Sequence, residues 1–239
     1  HFPHLVSAEI AAKSLQALAI GGDFYDVLPY VGSRTGIALG DVSGKGAPAA
    51  LYAALESGIL RSKAPMQPMP AQMLTAINIS LNERRIAAQY VSVLYAMWDG
   101  IQRVMRISNS GLPRPIFCRG NTIEMVQATG LPLGLFEEAQ YEEIAISAMP
   151  GDVFVFFSDG IVDAVSPQEE QFGRPRIEQT VSRVSHASAA EIVAAIFQEI
   201  GEHSQGRASF DDETVVALKI TEDGQALPAS GKPKRPRKS

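Results

Sequence analysis

Four aspartates share one local context in this chain. Asp23, Asp41, Asp159 and Asp211 each stand in a loop beside an apolar run, next to a glycine or another acid. Loops carried on rigid strands are where sites are built. Taken singly, each is an ordinary turn aspartate whose carboxylate bonds nearby backbone. Brought together they would repel. Two carboxylates about 4 Å apart cost roughly 4 kcal/mol at an effective dielectric near 20. A cluster of oxygen ligands without His or Cys suits a hard cation, Mg²⁺ or Mn²⁺, as the counter-charge. Paired ions bridged by a carboxylate lie about 3.5–4 Å apart and lower the pKa of a bridging water, whose hydroxide could attack a phosphoryl group without a protein nucleophile.

The elements that must carry these acids can be read from periodicity. Glu9 to Ile20 is β-like and breaks at the turn-rich Gly21-Gly22-Asp23-Phe24-Tyr25-Asp26. Thr35 to Leu39 reads as a buried strand, stopped by the glycine-rich loop Gly40 to Gly46. Ala47 to Ser62 reads as a helix with a face of small residues, Ala50, Ala53, Ala54, Ser57 and Gly58. Ala71 to Arg85 is a second helix, with Met73, Leu74, Ile77 and Leu81 at helical spacing. Strands follow at Tyr90 to Trp98 and Ile101 to Ser108, joined at Asp99-Gly100, and at Pro115 to Cys118 and Thr122 to Val126. Glu142 to Ile146 is a further strand. Val153 to Phe157 is wholly apolar and delivers Asp159 at its end. Helices are expected at Arg176 to Val184 and Ala189 to His203, and a last strand at Glu213 to Ile220. Hairpins rather than βαβ units argue against a doubly wound sheet.

The composition excludes several classes. The chain has 239 residues, 46% hydrophobic and 20% charged, which is ordinary for a folded protein. A single cysteine, Cys118, rules out an internal disulfide and suits a reducing compartment. No apolar run of about 18 residues predicts a membrane span. The net charge is −5, yet Pro228 to Ser239 alone carries five cations, so the remainder stands near −10. An acidic body argues against nucleic acid as the main partner. Residues 223–239, basic and proline-rich, are expected to be a disordered tail. The first residue is His1 rather than Met, which fits a domain cut from a longer protein with sensor segments upstream.

The ordered set of acid motifs carries a family resemblance. Gly21-Gly22-Asp23-Phe24-Tyr25-Asp26, Gly40-Asp41-Val42-Ser43-Gly44-Lys45-Gly46-Ala47-Pro48-Ala49-Ala50, Ser158-Asp159-Gly160-Ile161-Val162-Asp163-Ala164 and Asp211-Asp212-Glu213-Thr214 occur in that order. Together they resemble the metal-dependent serine/threonine protein phosphatases (PPM), in the bacterial SpoIIE/RsbU branch. Gly130-Leu131-Pro132-Leu133-Gly134-Leu135 and Gly151-Asp152 resemble that branch too, so the likeness runs from about Leu5 to Ile220.

The resemblance implies an α+β fold, an αββα sandwich of two mostly antiparallel sheets flanked by helix pairs, over residues 1–222. It implies a centre of two Mn²⁺ or Mg²⁺ ions, with room for a third. Asp41 would bridge both metals, the Val42 carbonyl would ligate one, and Asp159 and Asp211 would hold the other. Asp23 would ligate directly or through water. Asp163 and Asp212 are second-tier candidates, Asp163 for a further metal and Asp212 for orienting its neighbour. Lys45 could meet substrate, although an exposed loop lysine is more often only solvated. The implied substrate is a phosphorylated anti-anti-sigma (STAS) protein in cytoplasmic partner switching of the stress-response kind. An attached sensor domain would act upstream, with the Ala47 to Ser62 helix as relay. Dimerisation stays open.

Two departures stand out. The branch often carries Asn-Ala-Gly-His before a proline, and here the stretch is Asn109-Ser110-Gly111-Leu112-Pro113. The phosphate-gripping arginine of the eukaryotic enzymes has no counterpart. The alternative is therefore a non-catalytic phosphatase-like domain that binds a phosphoprotein or regulatory partner. Other readings fail on residues. Gly21-Gly22-Asp23-Phe24 lacks the second acid of the GGDEF signature. Gly44-Lys45 lacks the flanking P-loop residues. Cys118 has Glu124 where a cysteine phosphatase needs arginine, and the four histidines have no HExxH spacing.

Overall fold

The computed structural model describes residues 2–66, 69–84 and 89–222. Ten strands and five helices follow in the order β1 (Ala8–Leu15), β2 (Phe24–Pro29), β3 (Arg34–Val42), α1 (Ala47–Lys63), α2 (Pro70–Arg84), β4 (Val91–Asp99), β5 (Val104–Asn109), β6 (Ile116–Arg119), β7 (Thr122–Met125), β8 (Ile144–Ser147), β9 (Val153–Phe157), α3 (Asp159–Asp163), α4 (Gly173–Val184), α5 (Ala189–Ser204) and β10 (Glu213–Ile220). The expected tail lies outside the described residues.

The strands form two five-stranded sheets, β1-β10-β9-β6-β7 and β2-β3-β4-β5-β8. Every strand pair in both sheets is antiparallel. Period-two alternation decides what each face packs against. In β9, Phe154 and Phe156 enter the core between the sheets, where they meet Ile37 and Leu39 of β3 and Trp98 of β4. The intervening Val153, Val155 and Phe157 face outward onto Ile177, Val181, Ile192 and Ile196 of α4 and α5. On the other sheet, Ala38 and Tyr95 face outward onto Tyr52 and Leu60 of α1 and Leu74 and Ile77 of α2. The layers are therefore helix pair, sheet, sheet, helix pair, the expected αββα sandwich.

Burial of these rows drives the assembly. A fully buried Phe, Leu or Ile contributes roughly 1.5–3 kcal/mol, and the core contains dozens of them. Local signals trim the helix ends. α5 starts at a capping box, in which the Ser188 hydroxyl accepts the Glu191 N–H and Glu191 returns a bond to the Ser188 N–H. Cys118 is buried in the layer between its sheet and α4–α5.

Four local expectations need correction. The turn-rich stretch after Gly22 contains an edge strand, β2, paired along its whole length with β3. The β4–β5 hairpin closes through four residues rather than two, because Asp99 Oδ1 accepts the N–H groups of both Ile101 and Gln102. β1 ends at Leu15, five residues before the expected limit, and the chain to Gly22 is loop. The small-residue face of α1 is split: Ala53 is buried, whereas Ala54 and Gly58 are exposed.

Candidate metal centre

The acids gather where the ends of four strands meet. Asp41 lies within β3 as its penultimate residue, paired across the ladder with Ser92, rather than in the glycine-rich loop expected from Gly40 onward. Asp23 stands immediately before β2, Asp159 opens α3 directly after β9, and Asp211 and Asp212 precede β10. Asp41, Asp211 and Asp212 line one cleft with Gly21, Gly22 and Lys45. The exposed side chains of Leu18 and Ile20 stand in the loop that walls it, and Phe210 stands beside Asp211.

Electrostatics show how closely the acids converge. The Asp41 carboxyl is pushed up to about 8, first by burial and then by the charges of Asp23, Asp159, Asp211 and Asp212. Asp23 is pushed up to about 7, mainly by burial, against the opposing hydroxyls of Thr214 and Ser158. Burial and the charges of Asp211 and Asp163 raise Asp159 as well. The charges of the other three acids singled out from the sequence, and that of Asp212, therefore all bear on Asp41.

Asp212 organises the loop opposite. Its Oδ1 accepts the N–H of Ala17 at 2.9 Å and its Oδ2 that of Asp23 at 3.2 Å. A Cβ on Gly21 would stand 1.9 Å from Asp212 Oδ2, so only glycine lets the two segments approach this closely. The Ser158 hydroxyl bridges the same region, donating to the Asp212 carbonyl and accepting the Thr214 N–H. Asp163 lies apart, at the exposed end of α3, where it accepts from Gln171 at 3.0 Å.

As they stand, no three His, Cys, Asp or Glu side chains among the described residues are arranged to hold one metal ion. Asp212 is engaged with backbone, and Asp211 is drawn toward Lys45, whose ammonium lies 3.3 Å from its Oδ2. The donor set nonetheless fits a hard divalent cation. Asp23 Oδ2 is buried without a hydrogen-bond partner, an arrangement that costs free energy unless a cation or proton offsets it. A Cβ on Gly22 would stand 2.9 Å from the Val42 carbonyl oxygen, so glycine keeps that oxygen clear beside Asp23. Oxygen-only donors of this kind select Mg²⁺ or Mn²⁺.

Leu112 does not face this cleft. It is 5% exposed and belongs to the core between the sheets. Asn109 fixes its segment, donating through Nδ2 to the carbonyls of Leu112 and Ala128 and accepting the Leu112 N–H.

The profile of the stage II sporulation protein E (SpoIIE) family matches residues 32–221. The chain belongs to the SpoIIE family. Protein IcfG of Synechocystis sp. is 26% identical over 245 residues, covering 90% of this chain and 38% of its own. The phosphoserine phosphatase RsbU of Bacillus subtilis is 26% identical over 219 residues, covering 91% and 64%. The chain thus spans less than two thirds of either relative. Among solved structures, the SiaA-PP2C domain of Pseudomonas aeruginosa superposes with TM-score 0.80 at 18% identity, covering 90% of this chain and 86% of that one. The catalytic domain of the serine/threonine protein phosphatase PstP, in complex with two manganese ions, superposes with TM-score 0.66 at 17% identity, covering 90% and 99%. The SpoIIE-family chain therefore has the fold of the PP2C phosphatases, the αββα sandwich that the family resemblance implies.

Sequence reasoning missed the work of Gly21, Ser158 and Thr214. All three lie inside the quoted motifs, but nothing local separates a hydroxyl that steadies a carboxylate from one that caps a turn.

Proposed function

We propose that this SpoIIE-family chain is a metal-dependent phosphoserine/phosphothreonine protein phosphatase, with residues 1–222 as the catalytic unit. The observation that carries the reading is the gathering of these acids at neighbouring strand ends, where burial, and then the charges of Asp23, Asp159, Asp211 and Asp212, push Asp41 up to about 8. Asp41 would bridge two ions, the Val42 carbonyl would ligate one, Asp159 and Asp211 would hold the other, and Asp23 would ligate directly or through water. When bound, Mn²⁺ or Mg²⁺ supplies a water-derived nucleophile at neutral pH and neutralises the phosphate oxygens. Asp212 positions Asp23 through its backbone amide. The Thr214 and Ser158 hydroxyls favour the charged form of Asp23. Leu18, Ile20 and Phe210, all roughly half exposed or more, offer apolar footing for a folded protein carrying the phosphoryl group.

The likeness to RsbU, a phosphoserine phosphatase, and to PstP, a serine/threonine phosphatase in complex with two manganese ions, supports this reaction and this cofactor. A neighbour that joins RsbU and RsbW domains supports a partner-switching role, and within that role we infer a phosphorylated STAS protein as substrate and the cytoplasm as the place. No helix among the described residues is long and apolar enough to cross a membrane. The alternative of a non-catalytic binding domain drew its support from Leu112, and the burial of that side chain in the inter-sheet core weakens it.

The test is hydrolysis of p-nitrophenyl phosphate and of a phosphoserine peptide, first in EDTA and then with Mn²⁺. Mn²⁺-dependent turnover that disappears in Asp41→Asn is the expected result. Absence of turnover with any metal, and with a phosphorylated STAS protein, would favour the binding domain.

A further inference from the structure

Among the described residues that line the acidic cleft, Lys45 is the only cation. It sits between Gly44 and Gly46, whose φ values of +94° and +72° carry the chain from β3 into α1. Its ammonium lies 3.3 Å from Asp211 Oδ2 and also donates to the carbonyl of Phe210. Lys45 therefore ties the start of α1 to the segment before β10 across the mouth of the site. The Asp211 oxygen it holds is one that the proposed centre would need. The two side chains are 53% and 46% exposed, so the pair is weak enough to exchange partners.

We propose that Lys45 is the phosphate-binding cation of this site, and that Asp211 holds it in reserve until a divalent cation takes that carboxylate. The ammonium and the divalent ion compete for Asp211. Displaced, the ammonium remains at the mouth, tethered by its short loop, beside the position where a phosphoryl group must enter. A compact ammonium with three donors suits phosphate oxygens. The inference rests on reading the cleft as the metal centre, and it assigns phosphate recognition to a residue of the loop before α1.

Two measurements test it together. Mn²⁺ titration calorimetry without substrate compares wild type, Lys45→Met, Asp211→Asn and the double variant. Lys45→Met should bind Mn²⁺ about three- to five-fold more tightly, the worth of an exposed ion pair. In the Asp211→Asn background the same change should have no effect. Kinetics with a phosphoserine peptide should then show KM raised about five- to ten-fold in Lys45→Met, with kcat altered less and Lys45→Arg restoring KM, as expected for a lost charge-assisted bond. Unchanged or weaker Mn²⁺ binding by Lys45→Met, or an unchanged KM, overturns the proposal while wild-type turnover keeps the phosphatase reading intact. A wild type that neither binds Mn²⁺ nor turns over removes both.

Discussion

The carboxylate of Asp212 accepts the backbone N–H of Asp23 across 189 residues of sequence, at 3.2 Å. Asp23 is thus placed by the Asp212 side chain as much as by the strand that follows it. Gly21 makes that approach possible, since a Cβ there would meet Asp212 Oδ2 at 1.9 Å. Gly21→Ala should push the loop outward, costing about 1–3 kcal/mol by overpacking and lowering Tm by roughly 3–10 °C. Thermal unfolding followed by circular dichroism checks the stability. Turnover should fall more steeply than stability, and a variant that keeps full activity would remove Asp212 from its positioning role.

Divalent cations should stabilise the fold. An ion bound only by the native state at about a hundred-fold excess over its Kd adds about 2.7 kcal/mol, or roughly 5–10 °C for a chain of this size. Mn²⁺ should therefore raise Tm, EDTA should reverse the rise, and Asp41→Asn should abolish it. Differential scanning calorimetry with and without Mn²⁺ gives the answer, and an equal rise in Asp41→Asn would place the ion elsewhere.

Glu56 makes stability depend on pH. It lies on the buried side of α1, 1% exposed, with both carboxylate oxygens unpartnered, and burial pushes it up to about 8 from an ordinary 4.5. The folded state then binds a proton that the unfolded state releases between those values. Its contribution is greatest below pH 4.5, falls as pH rises toward 8 and is flat beyond. Glu56→Met, similar in volume and apolar, should remove that slope and stabilise the fold at pH 8 by about 1–3 kcal/mol. Urea unfolding at pH 5 and pH 8 for both proteins measures the difference, and parallel slopes would count against it.

Restoring the branch's usual histidine should not improve catalysis. Leu112 is buried between the sheets, so Leu112→His places an imidazole among apolar side chains. The expected cost is about 2–4 kcal/mol, a fall of roughly 5–15 °C in Tm, with no gain in kcat. A stable variant with raised kcat would show that this position reaches the cleft after all.

The sandwich was legible because its rows are strongly patterned. Val153–Phe157 and Glu213–Ile220 have the ends that periodicity assigns them. Edge strand β2 was not, because Gly21-Gly22 and Asp26 carry turn chemistry that outweighs a short alternating run. α3, only five residues long, falls below any periodic signal. The acids were legible as strand-end residues, but their division of labour was not. Asp211 and Asp212 are equivalent as letters. The register that sets Glu213 opposite Leu15 turns Asp212 inward and leaves Asp211 half exposed beside Lys45. Such contacts, between residues nearly two hundred positions apart, are decided by tertiary packing alone.

The full-length pairing of β1 with β10 bears on how the protein comes into being. Asp23 follows β1 and Asp212 precedes β10, so the carboxylate that positions Asp23 leaves the ribosome 189 residues after Asp23 itself. Such non-local closure folds slowly, and nascent chains emerge at only about 5–20 residues per second. A growing polypeptide therefore passes roughly ten seconds or more with β1 lacking its partner and its edge exposed. By the same topology, hydrolytic competence would wait for β10 to dock against β1.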